Sequence, residues 1–173
     1  MVEALLVLCT SVQVLGLSDY REKKACDYMP QIVKSAETYN ISPEVVVALI
    51  FVESGFRRKS VSNKNACGLT QVIPKYTGKI TKKYTCSQLK NPRTSIQAGV
   101  KILRWWIDYH KRKDPRISDR ENLKRALCSY NAGFRCRPTR KRRKPIPGGM
   151  RYAKKVLNKA KMLEAKKNQL ISN

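Results

Sequence analysis

The stretch from Ser42 to Phe56 reads SPEVVVALIFVESGF. Ser42, Pro43 and Glu44 place a hydroxyl at an N-cap, proline at the first helical position and a carboxylate in the first turn. Val45 to Val52 is apolar on every side, so periodicity alone does not separate a buried strand from a buried helix. The capping signal, with a total length near ~11 residues, favours a buried helix. Gly55 is its expected C-terminal stop. Glu53 therefore closes an apolar run, in surroundings poor in water. Desolvation raises a carboxyl pKa, and the negative end of a helix dipole pushes the same way. Such a group stays protonated near neutral pH and can serve as a general acid. Arg57 and Arg58 would oppose this if they point inward. On pattern alone, a helix-end glutamate in a surface ion pair remains the competing reading.

Outward from this element the chain reads as further helices. The first is expected over Ala25 to Tyr39, with Ile32, Val33, Ala36 and Tyr39 on one face. Arg57 to Ala66 is polar and turn-rich. Gly68 to Pro74 (GLTQVIP) is a short apolar patch closed by proline. Thr94 to Tyr109 is a strongly amphipathic helix carrying Ile96, Val100, Leu103, Trp106 and Ile107. A charged loop, Lys111 to Asp119, leads to a helix over Asn122 to Tyr130. Met150 to Leu163 is the closing helix, with Ala153, Val156, Leu157 and Ala160 inward. Residues 164–173 are expected to fray. No internal repeat is visible, and 173 residues make one domain.

Residues 1–18 differ in composition. Ala4 to Leu17 is apolar apart from Thr10, Ser11 and Gln13, and falls short of the ~20 residues that span a bilayer. It reads as a signal peptide or weak membrane anchor of an exported chain. Glu3, the missing basic start and the lack of a small-x-small cleavage site leave an N-terminal helix packed on the domain as the alternative. The six cysteines form no Cys-x-x-Cys pair, and the chain has one histidine. Zinc-ligand spacing is thus missing, and no metal or cofactor is expected. Export makes disulfides the natural state. Cys67 with Cys86 and Cys128 with Cys136 enclose short loops and are the expected pairs. Free buried thiols are the alternative.

Lys and Arg total 37 against 12 Asp and Glu, a formal net charge of +25. This speaks to partners rather than fold: nucleic acid, anionic lipid or an anionic wall polymer. The run Arg135 to Lys144 (RCRPTRKRRK) concentrates the charge. It is either a solvated loop or a means of steering to an anionic wall or membrane surface. No aromatic interleaving or nucleic-acid motif accompanies it.

Five short blocks, in order, resemble the soluble lytic transglycosylase family. Glu53-Ser54-Gly55-Phe56 with Ser62 is similar to its first signature. Ala66 to Pro74 (ACGLTQVIP) is similar to its second. Asn91-Pro92 through Ile96, then Ala98-Gly99, resembles its next helix start. Ala126 to Gly133 (ALCSYNAG) resembles its Ala-Tyr-Asn-Ala-Gly block, and Tyr152 with Lys155-Val156-Leu157 its closing element. Together they span roughly Tyr39 to Asn158. One departure is Thr70, where the family usually has methionine, which implies a narrower, more polar pocket floor.

The resemblance implies a mainly α, lysozyme-like single catalytic domain of about six to eight helices over residues 19–163. It implies cleavage of the β-1,4 bond between N-acetylmuramic acid and N-acetylglucosamine in peptidoglycan, with Glu53 as the single catalytic acid, then base. Ordinary glycosidases more often use two carboxylates, and no matched block supplies a second. Asp108 is the nearest competitor and reads as structural. Ser54 would orient Glu53 or bind glycan, or simply cap the helix end. Gln71 would bind sugar hydroxyls and amides. Tyr130 would bond the Glu53 carboxyl, Asn131 would hold the N-acetyl group, and Tyr152 would lie near the same carboxyl. Trp105 and Trp106 fit core packing better than sugar stacking. Two rivals stand beside this: a goose-type lysozyme that uses water as acceptor, and a non-catalytic basic wall- or nucleic-acid-binding module. The expected setting is the periplasm, cell envelope or exterior, as a monomer. A phage lysis protein, a virion-borne enzyme or a bacterial wall-remodelling enzyme would each fit.

Overall fold

The computed structural model describes residues 2–137 and 145–172. Residues 138–144, most of the basic run Arg135 to Lys144, fall outside them. The elements are α1 (Val2–Ser11), α2 (Asp19–Thr38), α3 (Pro43–Ser54), α4 (Pro74–Thr77), α5 (Cys86–Leu89), α6 (Pro92–Lys113), α7 (Asp119–Ala132) and α8 (Pro147–Ile171). Short 3-10 turns occupy Val12–Leu15 and Gly133–Cys136. Among the described residues β-structure is limited to isolated bridges that join Val61 to Cys67 and Cys67 to Val72. The mainly α fold expected from sequence is borne out.

The quoted stretch forms α3, and its ends follow the local signals. The Ser42 hydroxyl accepts the Val45 amide at 3.4 Å, and Gly55 ends the helix in the left-handed conformation at φ 55°. Val45 to Ile50 are all buried. The helix is therefore a central axis with core on every side, which explains why it lacks an amphipathic pattern. Helix α8 lies against α3 and α7, and α6 against α7. Residues 56–90 form a largely irregular lobe whose Cys67, Val72, Tyr84 and Leu89 make a small core with Ala98 of α6.

Helix boundaries extend beyond the expected ones where side chains reward it. Helix α2 starts at Asp19, with Asp19 and Glu22 in its first turn. Asn91 caps α6 through the Thr94 amide at 3.2 Å. That helix continues to Lys113 with His110, Lys111, Arg112 and Lys113 in its last turn, where the dipole favours cations. Residues 164–171, expected to fray, continue α8 instead, because Lys167 donates to the buried carboxylate of Glu44. Burial alone would raise the pKa of Glu44, but its bonds from Lys167 and Ser42 hold it below the usual carboxylate range.

The apolar N-terminal run packs on the domain. Leu8, Val12 and Leu15 are buried in the main core, α1 and the turn after it lie against α8, and Cys9 is bonded to Cys26 of α2. Among the described residues no helix is long and apolar enough to cross a membrane. The two expected disulfides form, Cys67–Cys86 and Cys128–Cys136.

Candidate active site

Glu53 sits in the last turn of α3, where the buried axis meets the irregular lobe. Its carboxyl pKa is raised from 4.5 to about 7, driven by burial and opposed by a hydrogen bond from Tyr152. Arg57 and Arg58 are exposed, and neither lowers it. The Tyr152 hydroxyl of α8 donates to Glu53 Oε1 at 2.5 Å, across 99 residues of sequence. Burial and the neighbouring Glu53 both push the Tyr152 phenol well above 10, so it is a donor throughout the physiological range.

Tyr130 differs from its expected place. Its hydroxyl donates to the carbonyl of Thr70 at 2.8 Å, not to Glu53. It still feels the carboxylate: burial first, then Glu53, raises its pKa well above 10. Its geometric task is to tie α7 to the lobe. Ser54 has a similar task. Its buried hydroxyl donates to the Leu69 carbonyl at 2.8 Å and to the Ile50 carbonyl at 3.2 Å, so it bonds neither Glu53 nor open space.

Thr70 is a junction that sequence reasoning treated only as a departure. It is fully buried. Its hydroxyl donates to the Ser95 carbonyl at 2.7 Å, and its amide donates to Ser95 Oγ at 3.2 Å. Gly99 leaves the room for this: a Cβ there would lie 2.5 Å from the Thr70 side chain. The threonine polarity is thus consumed inside the protein. The Gly99 signal was visible in sequence only as a glycine inside an amphipathic helix.

Gln71 has a left-handed backbone at φ 49°, an unusual conformation for a residue with a side chain. Its amide nitrogen donates to the carbonyls of Gly68 at 2.9 Å and Ser60 at 3.2 Å. Gly68 itself is held at φ +79° with the Leu89 carbonyl 1.9 Å from where a Cβ would stand, so only glycine fits. Asn131 is exposed, at the end of α7, and its amide has no protein partner among the described residues. Trp106 is 6% exposed and belongs to the core. Asp108 pairs with Arg104 at 2.5 Å on the α6 surface, away from any role as a second acid. Among the described residues no group of three His, Cys, Asp or Glu side chains is placed to hold a metal.

Replacing Tyr152 by Phe tests the pair directly. The Tyr152 bond lowers the Glu53 pKa, so its loss raises that pKa further. The titration midpoint of the Glu53 carboxyl, followed by carbon NMR, is expected to move to higher pH. An unchanged midpoint would contradict the hydrogen bond.

Fold and site together define a helical domain built around one desolvated, protonatable carboxyl group. The chain belongs to the transglycosylase SLT family: the model described as "Transglycosylase SLT domain" matches residues 30–148. It is 30% identical over 129 residues to a membrane-bound lytic murein transglycosylase C of Haemophilus influenzae, covering 70% of this chain and 36% of the relative. It is 35% identical over 88 residues to an endo-type membrane-bound lytic murein transglycosylase A of Cronobacter sakazakii, covering 47% of this chain and 43% of that one. The chain thus spans less than half the length of these relatives. Its fold is similar to an inactive mutant of lytic transglycosylase Slt from Pseudomonas aeruginosa, with a TM-score of 0.62, 20% identity, and coverage of 80% of this chain and 24% of that one.

Proposed function

We propose that this chain is a peptidoglycan lytic transglycosylase that uses Glu53 alone as acid and then base. The observation that carries the reading is the desolvated Glu53 carboxyl, with a pKa near 7 set by burial and tuned by Tyr152. A group at that pKa holds a proton to give and, once ionised, takes one back, both near neutral pH. Family membership supports the same assignment.

In the first step protonated Glu53 donates to the glycosidic oxygen while the bond from the muramic C1 to that oxygen breaks. The N-acetylglucosamine side leaves as an alcohol. Positive charge at C1 is met by the carbonyl oxygen of the substrate's own N-acetyl group. Asn131, with its free amide, holds that group in place. In the second step ionised Glu53 takes the proton of the C6 hydroxyl, O6 bonds to C1, and a 1,6-anhydro ring closes. No water is consumed and Glu53 ends protonated as it began. Tyr152 orients the carboxyl, Tyr130 and Ser54 fix the lobe against the helices, and Gln71 lines the glycan path.

The membrane-bound murein transglycosylases among the relatives and three disulfides support work in the cell envelope, outside the reducing cytoplasm. The chain acts as a monomer, and the basic run Arg135 to Lys144 favours approach to an anionic wall or membrane surface. Mass analysis of digested peptidoglycan tests the reading. Ends carrying 1,6-anhydromuramic acid are expected. Reducing ends would assign a hydrolase of the goose-lysozyme type, and undigested wall a non-catalytic binding module.

A further inference from the structure

Phe134 is 57% exposed, yet it is not an isolated surface ring. Its centroid lies 5.0 Å from Trp106, 5.5 Å from Tyr109 and 6.4 Å from Trp105, each near edge-on. Trp105 in turn stacks on Tyr109 at 5.5 Å and 19°. Trp106 and Tyr109 are buried and Trp105 is partly exposed. The Tyr109 hydroxyl is held by a hydrogen bond from Arg137 at 3.2 Å. Three rings therefore form a fixed backing for one ring that stands in solvent.

The chain invests in that placement. Gly133 adopts φ 60° and ψ −145°, a conformation that is nearly restricted to glycine. It turns the chain from α7 so that Phe134 meets the rings of α6. The Cys128–Cys136 bond closes the segment that carries Tyr130, Asn131, Gly133 and Phe134. Asn131 is three positions before Phe134. On α6, Gly99 packs against Thr70, whose carbonyl holds Tyr130, and Trp105 follows about 9 Å further along the axis. The aromatic platform thus shares its two supporting segments, α6 and the end of α7 with the turn after it, with Gly99, Tyr130 and Asn131.

We infer that Phe134, backed by Trp105, Trp106 and Tyr109, is a second and non-catalytic glycan-binding site, on which a sugar ring of the same strand stacks beyond the cleaved bond. The C–H face of a pyranose is apolar and packs on an aromatic face, while its hydroxyls stay in water. A fixed, half-open ring suits this better than a mobile one because little rotamer freedom is lost on binding. The inference rests on the glycan-cleaving reading above. An exposed aromatic beside basic residues would also suit an anionic lipid surface, which the experiment separates.

The test uses Glu53→Gln protein as a non-cleaving binder of purified peptidoglycan sacculi. Adding Phe134→Ala is expected to weaken binding about three- to tenfold, and Phe134→Trp to restore it. In the Glu53 enzyme, Phe134→Ala should raise KM on long strands without lowering kcat. Circular dichroism melts of each variant check that the fold is retained. Undiminished binding of sacculi by the alanine variant would overturn the site. So would a loss confined to vesicles containing phosphatidylglycerol. A wild-type chain that neither cleaves nor binds sacculi would instead defeat the underlying reading, and this inference with it.

Discussion

Glu53→Gln is expected to reduce cleavage of purified peptidoglycan by about 10²- to 10⁴-fold, the range for loss of a positioned general acid–base group. The upper end is expected because one carboxyl serves both steps. Glutamine keeps the volume and accepts the Tyr152 hydrogen bond, so the site stays assembled while the transferable proton is gone. Turbidity loss of a wall suspension measures the rate. A variant retaining a tenth of wild-type activity would mean that another group supplies the proton.

The same variant is expected to be more stable than the wild type above neutral pH. Glu53 has a pKa near 7 in the folded chain against 4.5 as its ordinary value. Below pH 4.5 both states hold the proton and burial adds no ionisation penalty. As pH rises from 4.5 to 7 the unfolded chain ionises while the folded chain resists, so wild-type stability falls. Above pH 7 the penalty is constant, at most roughly 3 to 4 kcal/mol for a rise from 4.5 to about 7. Glutamine does not titrate. The stability gap between variant and wild type should therefore open across that window and then level off. Chemical denaturation at pH 4, 6 and 8 checks it. A pH-independent gap would show that the folded carboxyl titrates normally. A functional group that burdens its own fold in this way is what a stability–activity trade-off predicts.

What the sequence made legible follows from how local each signal is. The start of α3 at Ser42 and Pro43, its stop at Gly55 and its burial are written within fifteen consecutive residues. The desolvation of Glu53 follows from the same run. Which tyrosine reaches Glu53 is a different matter. Tyr130 and Tyr152 lie on α7 and α8, and the choice depends on how those helices pack, which no spacing encodes. Ser54 was legible as a residue near the acid, but its carbonyl partner Leu69 lies fifteen positions away. Residues 1–18 were ambiguous for a physical reason: a short apolar run has the same composition whether a translocation channel, a bilayer or α8 covers it. Cys9–Cys26 carried no signal beyond an even cysteine count. The extension of α8 to Ile171 depends on a long-range bond from Lys167 to Glu44. The role of Phe134 depends on a turn at Gly133 that sequence shows only as a glycine after a helix.

Removal of either disulfide beside the site is expected to lower stability by an amount comparable to the Glu53 penalty. Cys67–Cys86 closes 19 residues and carries Gly68, Thr70 and Gln71; Cys128–Cys136 closes 8 and carries Tyr130 and Asn131. On chain-entropy grounds the two bonds contribute about 3 and about 2.5 kcal/mol. A domain of this size has roughly 5–15 kcal/mol in all. Loss of Cys128–Cys136 has a second cost, because its sulfurs fill the space against Gly149, where a Cβ would come within 2.6 Å of Cys128 Sγ. The Cys128→Ala/Cys136→Ala chain leaves that space empty, which adds a cavity penalty. Each double alanine variant is therefore expected to melt about 6–12 °C lower, at about 2–4 °C per kcal/mol, by calorimetry without reductant. Dithiothreitol alone should act slowly on the wild type, since Cys67, Cys128 and Cys136 are fully buried, and quickly once mild denaturant opens the domain. If the loss is one of stability only, activity at 20 °C persists in variants still folded there. A melting temperature unchanged by removing a bond would show that the reduced chain is already held by its packing, and that the lobe does not depend on the bond.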